Sequence, residues 1–193
     1  VSRWGDPAGA NDLNDRVAGI KQLAKIYPGM DVERVGIVGP EADTNVIFAL
    51  IDHTDFYKAS VICFFSDPRL GAPLFSEPYY GVPIPGEKEP NVRHAEDCVS
   101  SLKGKLLLID GMRNAFGATF RLADALEKAN KSFDMVISTK GIQDPTGYII
   151  KRSWDYMVEH LLGEEPPEDF VLRTGMELVH DKFLADSEKR KAE

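Results

Sequence analysis

Residues 34–57 read RVGIVGPEADTNVIFALIDHTDFY, a buried strand, a sharp turn and a helix in immediate succession. Val35, Ile37 and Val38 are β-branched with no charge between them, the pattern of a strand covered on both faces. Gly39-Pro40 is expected to stop the ladder, since proline has no amide to donate. Asp43 or Thr44 then stands where it can cap a helix whose Val46, Ala49, Leu50 and His53 follow helical spacing. A strand that feeds straight into a helix is the repeating unit of an α/β layer fold.

The flanking sequence repeats that unit. Upstream, the helical pattern begins at Asp12, places Val17, Ile20, Leu23 and Ala24 on one face, and stops before Pro28-Gly29. Downstream, residues 59–65 (ASVICFF) form a second strand by their β-branched and aromatic content. A long proline-rich stretch from Ser66 to Leu102 follows, and loops of that length usually carry function. Residues 105–109 (KLLLI) make a third strand that ends at Asp110-Gly111. The helix expected over 119–130 turns Leu122, Ala125, Leu126 and Ala129 inward and spaces Asp124 with Lys128, and Glu127 with Lys131, for ion pairs. Residues 133–138 give a fourth strand. A final helix over 148–162 carries Ile150, Trp154, Met157, Val158 and Leu161 on one side and ends at Gly163, and the tail from Asp181 is charged and helical in pattern. Strands alternating with helices imply a parallel sheet with helices on both faces and right-handed crossovers. Residues 1–193 are expected to form one domain.

Composition removes several function classes. With 23 basic and 31 acidic residues the net charge is −8, and no basic stripe is long enough to track a phosphate backbone, so nucleic acid is not an expected partner. No stretch approaches the roughly twenty apolar residues of a membrane span, and no signal peptide precedes the first strand. The two cysteines, Cys63 and Cys98, offer neither a disulfide framework nor a CxxC metal site.

At this point the residues resemble a known family. The segments DRVAGIKQLAKIYPGMDVERVGIVG, SDPRLGAPLFSEPYYGVP, LKGKLLLIDGM, RLADALEKANKSFDMVI and RSWDYMVEHLLGEEPP run in the order found in the C-terminal catalytic domain of the prolyl oligopeptidase (S9) serine peptidases, within them the dipeptidyl peptidase IV branch. The resemblance covers about 15–167 and leaves 168–193 as a tail. It implies an α/β-hydrolase-like parallel sheet, here the C-terminal half of the usual domain with about four recognisable strands; the family's full domain has further strands and an upstream β-propeller, and neither is recognised in this sequence.

The family's chemistry uses a serine, an aspartate and a histidine, in that chain order. The serine stands in a nucleophile elbow between two glycines, and the corresponding residues here are Gly39, Pro40, Glu41, Ala42 and Asp43. Glu41 takes the serine's place. The aspartate belongs to the loop after the third strand, which here reads DGMRNAF and is shorter than the family's, so that it falls in a deletion near Arg113 and Asn114. The histidine follows a glycine after the fourth strand, and Gly141 is followed by Ile142. In the proline-binding pocket, a tryptophan and two tyrosines correspond to Pro68, Gly71 and Phe75, so Phe75 alone stays aromatic. Asn114 matches the asparagine that holds a substrate carbonyl, and the tyrosine of the oxyanion hole is expected ahead of Val1.

Other chemistry has a plainer explanation in each case. A Glu41 nucleophile would still need a base for its hydrolytic step, and none follows Gly141, so a turn carboxylate at the positive end of a helix accounts for it better. His53, His94, His160 and His180 contain no HxxxH or HxH pair. Only His94, with Glu96, Asp97 and Cys98, has ligand-like neighbours, and adjacent residues rarely converge on one ion, so no metal is expected. Ser60 and Ser66 lack a G-x-S-x-G turn. Trp154 is read as a core residue with Tyr156 beside it, and Asp155 as a structural hydrogen-bond acceptor. Gly36 and Gly39 fall short of G-x-G-x-x-G because Ala42 holds the third place, so no dinucleotide or other cofactor is expected. Glu164, Glu165, Glu168 and Asp169 form a solvated acidic run.

The functional expectation is a catalytically inactive relative of the S9 catalytic domain, a binding or structural module that associates with a second copy or another protein through the 154–162 helix. The alternative is a serine-type dipeptidyl peptidase whose site is relocated or completed by another segment or chain, which would place a polar pocket around Glu41, Asp110 and Asn114. The resemblance spans cytosolic and exported proteins and leaves the compartment open.

Overall fold

The computed structural model describes residues 10–40, 45–65, 94–111, 117–139 and 147–172. Helix α1 (Ala10–Ile26) leads to strand β1 (Val35–Pro40), helix α2 (Asn45–Asp52) and strand β2 (Tyr57–Cys63). A short helix α3 (Ala95–Cys98) and a 3-10 turn (Val99–Ser101) precede β3 (Lys105–Gly111), α4 (Ala118–Lys128) and β4 (Asp134–Ser138). Helix α5 (Tyr148–Met157) runs on into a π-helical turn, Val158–Leu162. The four strands form one sheet in the order β1-β2-β3-β4, every neighbouring pair parallel. None of the described helices is long and apolar enough to cross a membrane.

Alternation along the strands divides the apolar residues between two cores. Ile62, Leu106 and Leu108 face one side, where Leu13 of α1, Val46, Phe48 and Leu50 of α2, Val99, and Leu122 and Leu126 of α4 cover them. Val61, Cys63, Leu107 and Ile109 face the other side, against Ile149 and Tyr156 of α5. Each strand lies one place further across the sheet than the last, and right-handed crossovers then bring the intervening helices to one face. Among the described residues, only α5 and the π-helical turn after it pack on the opposite face. The expected α/β sheet with helices on both faces is what forms.

Four expectations are corrected. β1 is not covered on both faces: it is the last strand on its side of the described sheet, and Val38 is 44% exposed. Nor does Gly39-Pro40 stop the ladder, since Gly39 pairs with Ile62 and Pro40 with Cys63; an edge strand tolerates proline. On α1, Leu23 points into solvent and the fully buried anchor is Leu13, one turn before Val17. The ion pair expected between Glu127 and Lys131 gives way to a tertiary contact, Lys131 Nζ donating to the Leu102 carbonyl at 3.1 Å, because α4 ends at Lys128. Asp124 and Lys128 do pair, at 2.6 Å.

The largest correction concerns α5. Its buried residues are Ile149, Ser153 and Tyr156, while Ile150 and Trp154 are half exposed. The 150/154/157/158/161 stripe and the 149/153/156 stripe lie about one residue apart around the helix, and both contain apolar side chains, so periodicity alone chose the wrong one. The Tyr156 hydroxyl decides the matter by donating to Asp134 Oδ2 at 3.0 Å, which leaves the buried ring with a satisfied polar end. Met157 and Leu161 are inward as expected, and the reason is Gly36. A Cβ on Gly36 would stand 2.6 Å from Met157 Sδ, 2.9 Å from Leu161 Cδ1 and 3.3 Å from the Ala59 carbonyl oxygen. Glycine therefore lets the π-helical turn lie directly on β1, and Gly163, at φ 71, closes the helix in the left-handed conformation expected there.

Gly36→Val is expected to lower unfolding stability by about 1–3 kcal/mol, since two side chains must shift together; a denaturant midpoint equal to that of the parent protein would contradict this packing. Burial, and then the bond to Asp134, push the Tyr156 hydroxyl well above the ordinary tyrosine range. Above roughly pH 10 an unfolded tyrosine loses its proton while Tyr156 keeps it, so the native state binds more protons and stability falls as pH rises. Tyr156→Phe should cost about 0.5–1.5 kcal/mol at neutral pH and flatten that alkaline decline in urea unfolding measured from pH 8 to 11.

Candidate functional site at the carboxyl edge of the sheet

In open parallel sheets, ligands and reacting groups gather beyond the carboxyl ends of the strands. Here β1 ends at Pro40, next to Glu41 in sequence; β2 ends at Cys63, β3 at Asp110-Gly111, and β4 at Ser138. Gly111 and Ser138 are register partners, as are Cys63 and Ile109, so these ends form one continuous edge.

Beyond β2, Phe64 adopts φ 58, a left-handed conformation that is costly for a bulky side chain. Its amide donates to the Ile109 carbonyl at 2.7 Å and its ring stays in the second core, which together hold the turn in place. The Cys63 thiol sits 4.0 Å from Ser153 Oγ, and that hydroxyl in turn donates to the Ile149 carbonyl at 2.8 Å. Burial pushes the thiol up from its ordinary range, outweighing the contact with Ser153, so Cys63 is held as a neutral thiol. Cys63 is accordingly a packing residue rather than a nucleophile.

Asp110 is the carboxylate at this edge. It is 1% exposed; Oδ1 accepts the Gly111 amide at 2.7 Å, and Oδ2 is buried without a hydrogen-bond partner. The sequence carried a signal for it, since an acid directly continuing an unbroken apolar strand, LLLID, is carried into the interior by the strand itself.

The structure disperses the remaining candidates. Ser60 is buried and donates to the Val46 carbonyl at 3.2 Å, tying β2 to α2. His53, just past α2, presents its ring edge-on to Tyr57, and His160 lies edge-on to Tyr156 with centroids 4.2 Å apart. His94 precedes α3 without capping it, and Glu96 turns away to Arg121, 3.6 Å from its Nε. Among the described residues no three His, Cys, Asp or Glu side chains are placed to hold a metal ion. Cys63 and Cys98 are not joined to each other. Asp155 accepts from Lys151 Nζ at 2.7 Å, the structural role expected of it. Glu41, Pro68, Gly71, Phe75, Arg113, Asn114, Gly141 and Ile142 lie outside the described residues, as do Asp43, Thr44, Ser66 and His180.

No protein-family model matches the sequence, and no curated protein matches it. Solved structures do. Pyrococcus horikoshii acylaminoacyl peptidase superposes with a TM-score of 0.68 at 20% identity over 85% of this chain and 30% of its own. Porphyromonas gingivalis dipeptidyl peptidase 4 gives 0.64 at 21% identity, over 79% of this chain and 23% of its own. A puromycin-hydrolyzing peptidase from Mycobacterium tuberculosis gives 0.62 at 18% identity, over 81% and 26%. The described sheet and helices share an α/β-hydrolase-like fold with these peptidases. At these identities the likeness is one of fold, and the chain spans less than a third of the length of each of these peptidases.

Native protein treated with iodoacetamide at neutral pH should label Cys98, which is partly exposed, ahead of Cys63. Mass spectrometry showing Cys63 modified first, without unfolding, would contradict the burial and neutral state described for it.

Proposed function

We propose that this chain is a catalytically inactive relative of the S9 catalytic domain that works by association. The observation that carries the reading is Glu41, which immediately follows the last residue of β1 where the S9 resemblance puts the serine. Ile142 in the histidine's place and the shortened loop around Arg113 and Asn114 support it. A triad without nucleophile, base and orienting acid loses several kcal/mol of barrier lowering. Phe75 and Asn114 are what remains of the substrate pocket in this reading, and residues 1–193 act as one module.

The partner surface is the outer side of α5. Ile150 and Trp154 are half exposed, and the Trp154 ring lies 6.2 Å from that of Phe170, which is itself exposed. Buried aromatic anchors commonly dominate protein interfaces. The S9 resemblance supports a second copy of the chain as occupant, because that family uses its last helix to make dimers.

One observation favours a second reading, a dipeptidyl peptidase-like hydrolase with a relocated or externally completed site: the unpartnered oxygen of Asp110 at the carboxyl edge. Release of a chromogenic group from Gly-Pro and Ala-Pro anilides separates the two. No turnover above buffer is expected from the purified chain. Turnover that survives a serine-directed inhibitor and disappears in Glu41→Ala or Asp110→Asn would establish the second reading instead. Trp154→Glu is expected to convert a dimer to monomer in sedimentation velocity while leaving the melting temperature within a few degrees, as befits a half-exposed residue.

A further inference from the structure

Past the π-helical turn the chain doubles back on α5. Gly163 ends the helix, and the next residues, 164–172, read EEPPEDFVL. Two contacts fix their course. The Phe170 ring meets Trp154 with centroids 6.2 Å apart, and Leu172 lies on Gly147, the residue before α5, so closely that a Cβ there would stand 2.7 Å from Leu172 Cδ2. Phe170 is thus on the later half of the helix and Leu172 at its start, so the segment runs antiparallel to α5. Val171 between them is 79% exposed, the alternation of an extended chain laid on a surface.

The seat is shaped, and the hold on it is light. Gly147 has no side chain to fill the place that Leu172 takes, yet Trp154 and Phe170 stay 50% and 41% exposed in contact. The Phe170 amide donates within the segment, to the Pro167 carbonyl at 3.4 Å, and among the described residues no hydrogen bond or ion pair ties 164–172 to α5. Glu164, Glu165, Glu168 and Asp169 all remain in solvent. Two apolar contacts therefore hold the segment down, and nothing polar adds to them. Trp154 is also the residue proposed above for association, and a second copy seated on its ring would need the place that Phe170 occupies.

We infer that residues 164–172 are a strap that masks the outer side of α5, and that a second copy of the chain docks there only when the strap lifts. The apparent affinity between copies is then reduced by the fraction of chains whose strap is lifted. This rests on the association reading of α5 and adds how that face is regulated.

Sedimentation velocity of the full chain, with variants that move the strap in opposite directions, tests it. Leu172→Ala removes an anchor without touching Ile150 or Trp154, and is expected to lower the dimer dissociation constant about threefold or more. A Cβ at position 147 would stand 3.5 Å from that of Leu172, within disulfide reach, so Gly147→Cys with Leu172→Cys can be bridged within one chain to hold the strap shut. The oxidised protein is expected to be monomeric and to dimerise again on reduction, with peptide mapping identifying the 147–172 linkage. The reduced double variant is its reference, because cysteine is strained at the left-handed φ of Gly147. Oxidised protein that dimerises as tightly as reduced, a 147–172 bridge formed between two chains, or Leu172→Ala without tightening overturns the strap, while loss of the dimer in Trp154→Glu still upholds the association reading. If Trp154→Glu and Leu172→Ala both leave the assembly state unchanged, the association reading fails and the strap falls with it.

Discussion

A parallel sheet must be covered on both faces, and in this molecule the two faces are covered very unequally. Among the described residues, four helices and a 3-10 turn share one face, whereas the other depends on α5 and the π-helical turn that continues it. That single element touches the sheet from side to side. Ile149 and Ser153 meet the carboxyl end of β2, Tyr156 bonds the first residue of β4, and Met157 and Leu161 close over Gly36 in β1. The rest of the architecture follows from this contact, because the second core exists only while α5 is seated. The glycine on β1 and the tyrosine hydroxyl on Asp134 set its depth and its rotation. A π-helical turn is an uncommon solution, but it widens the helix where two long side chains must straddle one small residue.

Seating α5 also determines the character of the carboxyl edge. The thiol at the end of β2 is enclosed by Ser153 and kept neutral, which withdraws the most nucleophilic side chain at that edge from chemistry. The carboxylate at the end of β3 points to the opposite face by strand alternation, and it is buried there. Strand alternation by a single residue therefore sends the two reactive groups, Cys63 and Asp110, into different cores. They do not form a pair, and an acid-assisted thiol mechanism has no geometry to work with.

Similarity to acylaminoacyl and dipeptidyl peptidases at about a fifth identity is a likeness of fold. Apolar alternation and helix spacing tolerate wide substitution so long as volume and pattern are kept, so a fold persists at low identity. A triad tolerates none, since its three groups act as a unit.

Much of the fold was legible in the amino-acid order. β-branched runs at 35–38 and 59–63 and the apolar run at 105–109 marked the strands, the 122/126 spacing marked α4, and Gly163 marked the end of the last helix, because each of these is a local property of backbone and side chain. Asp110 was visible as an acid at the end of an apolar run. What the sequence could not carry was anything that depends on which neighbour a residue meets. The rotation of α5 was decided by Asp134 and Gly36, residues far away in the chain, and so Tyr156 went inward and Trp154 outward against the reading of periodicity. Likewise Lys131 left its helical partner for the Leu102 carbonyl, and Val38 became an edge residue. Local spacing determines what an element is, and the packing of distant elements determines which of its sides is the inside.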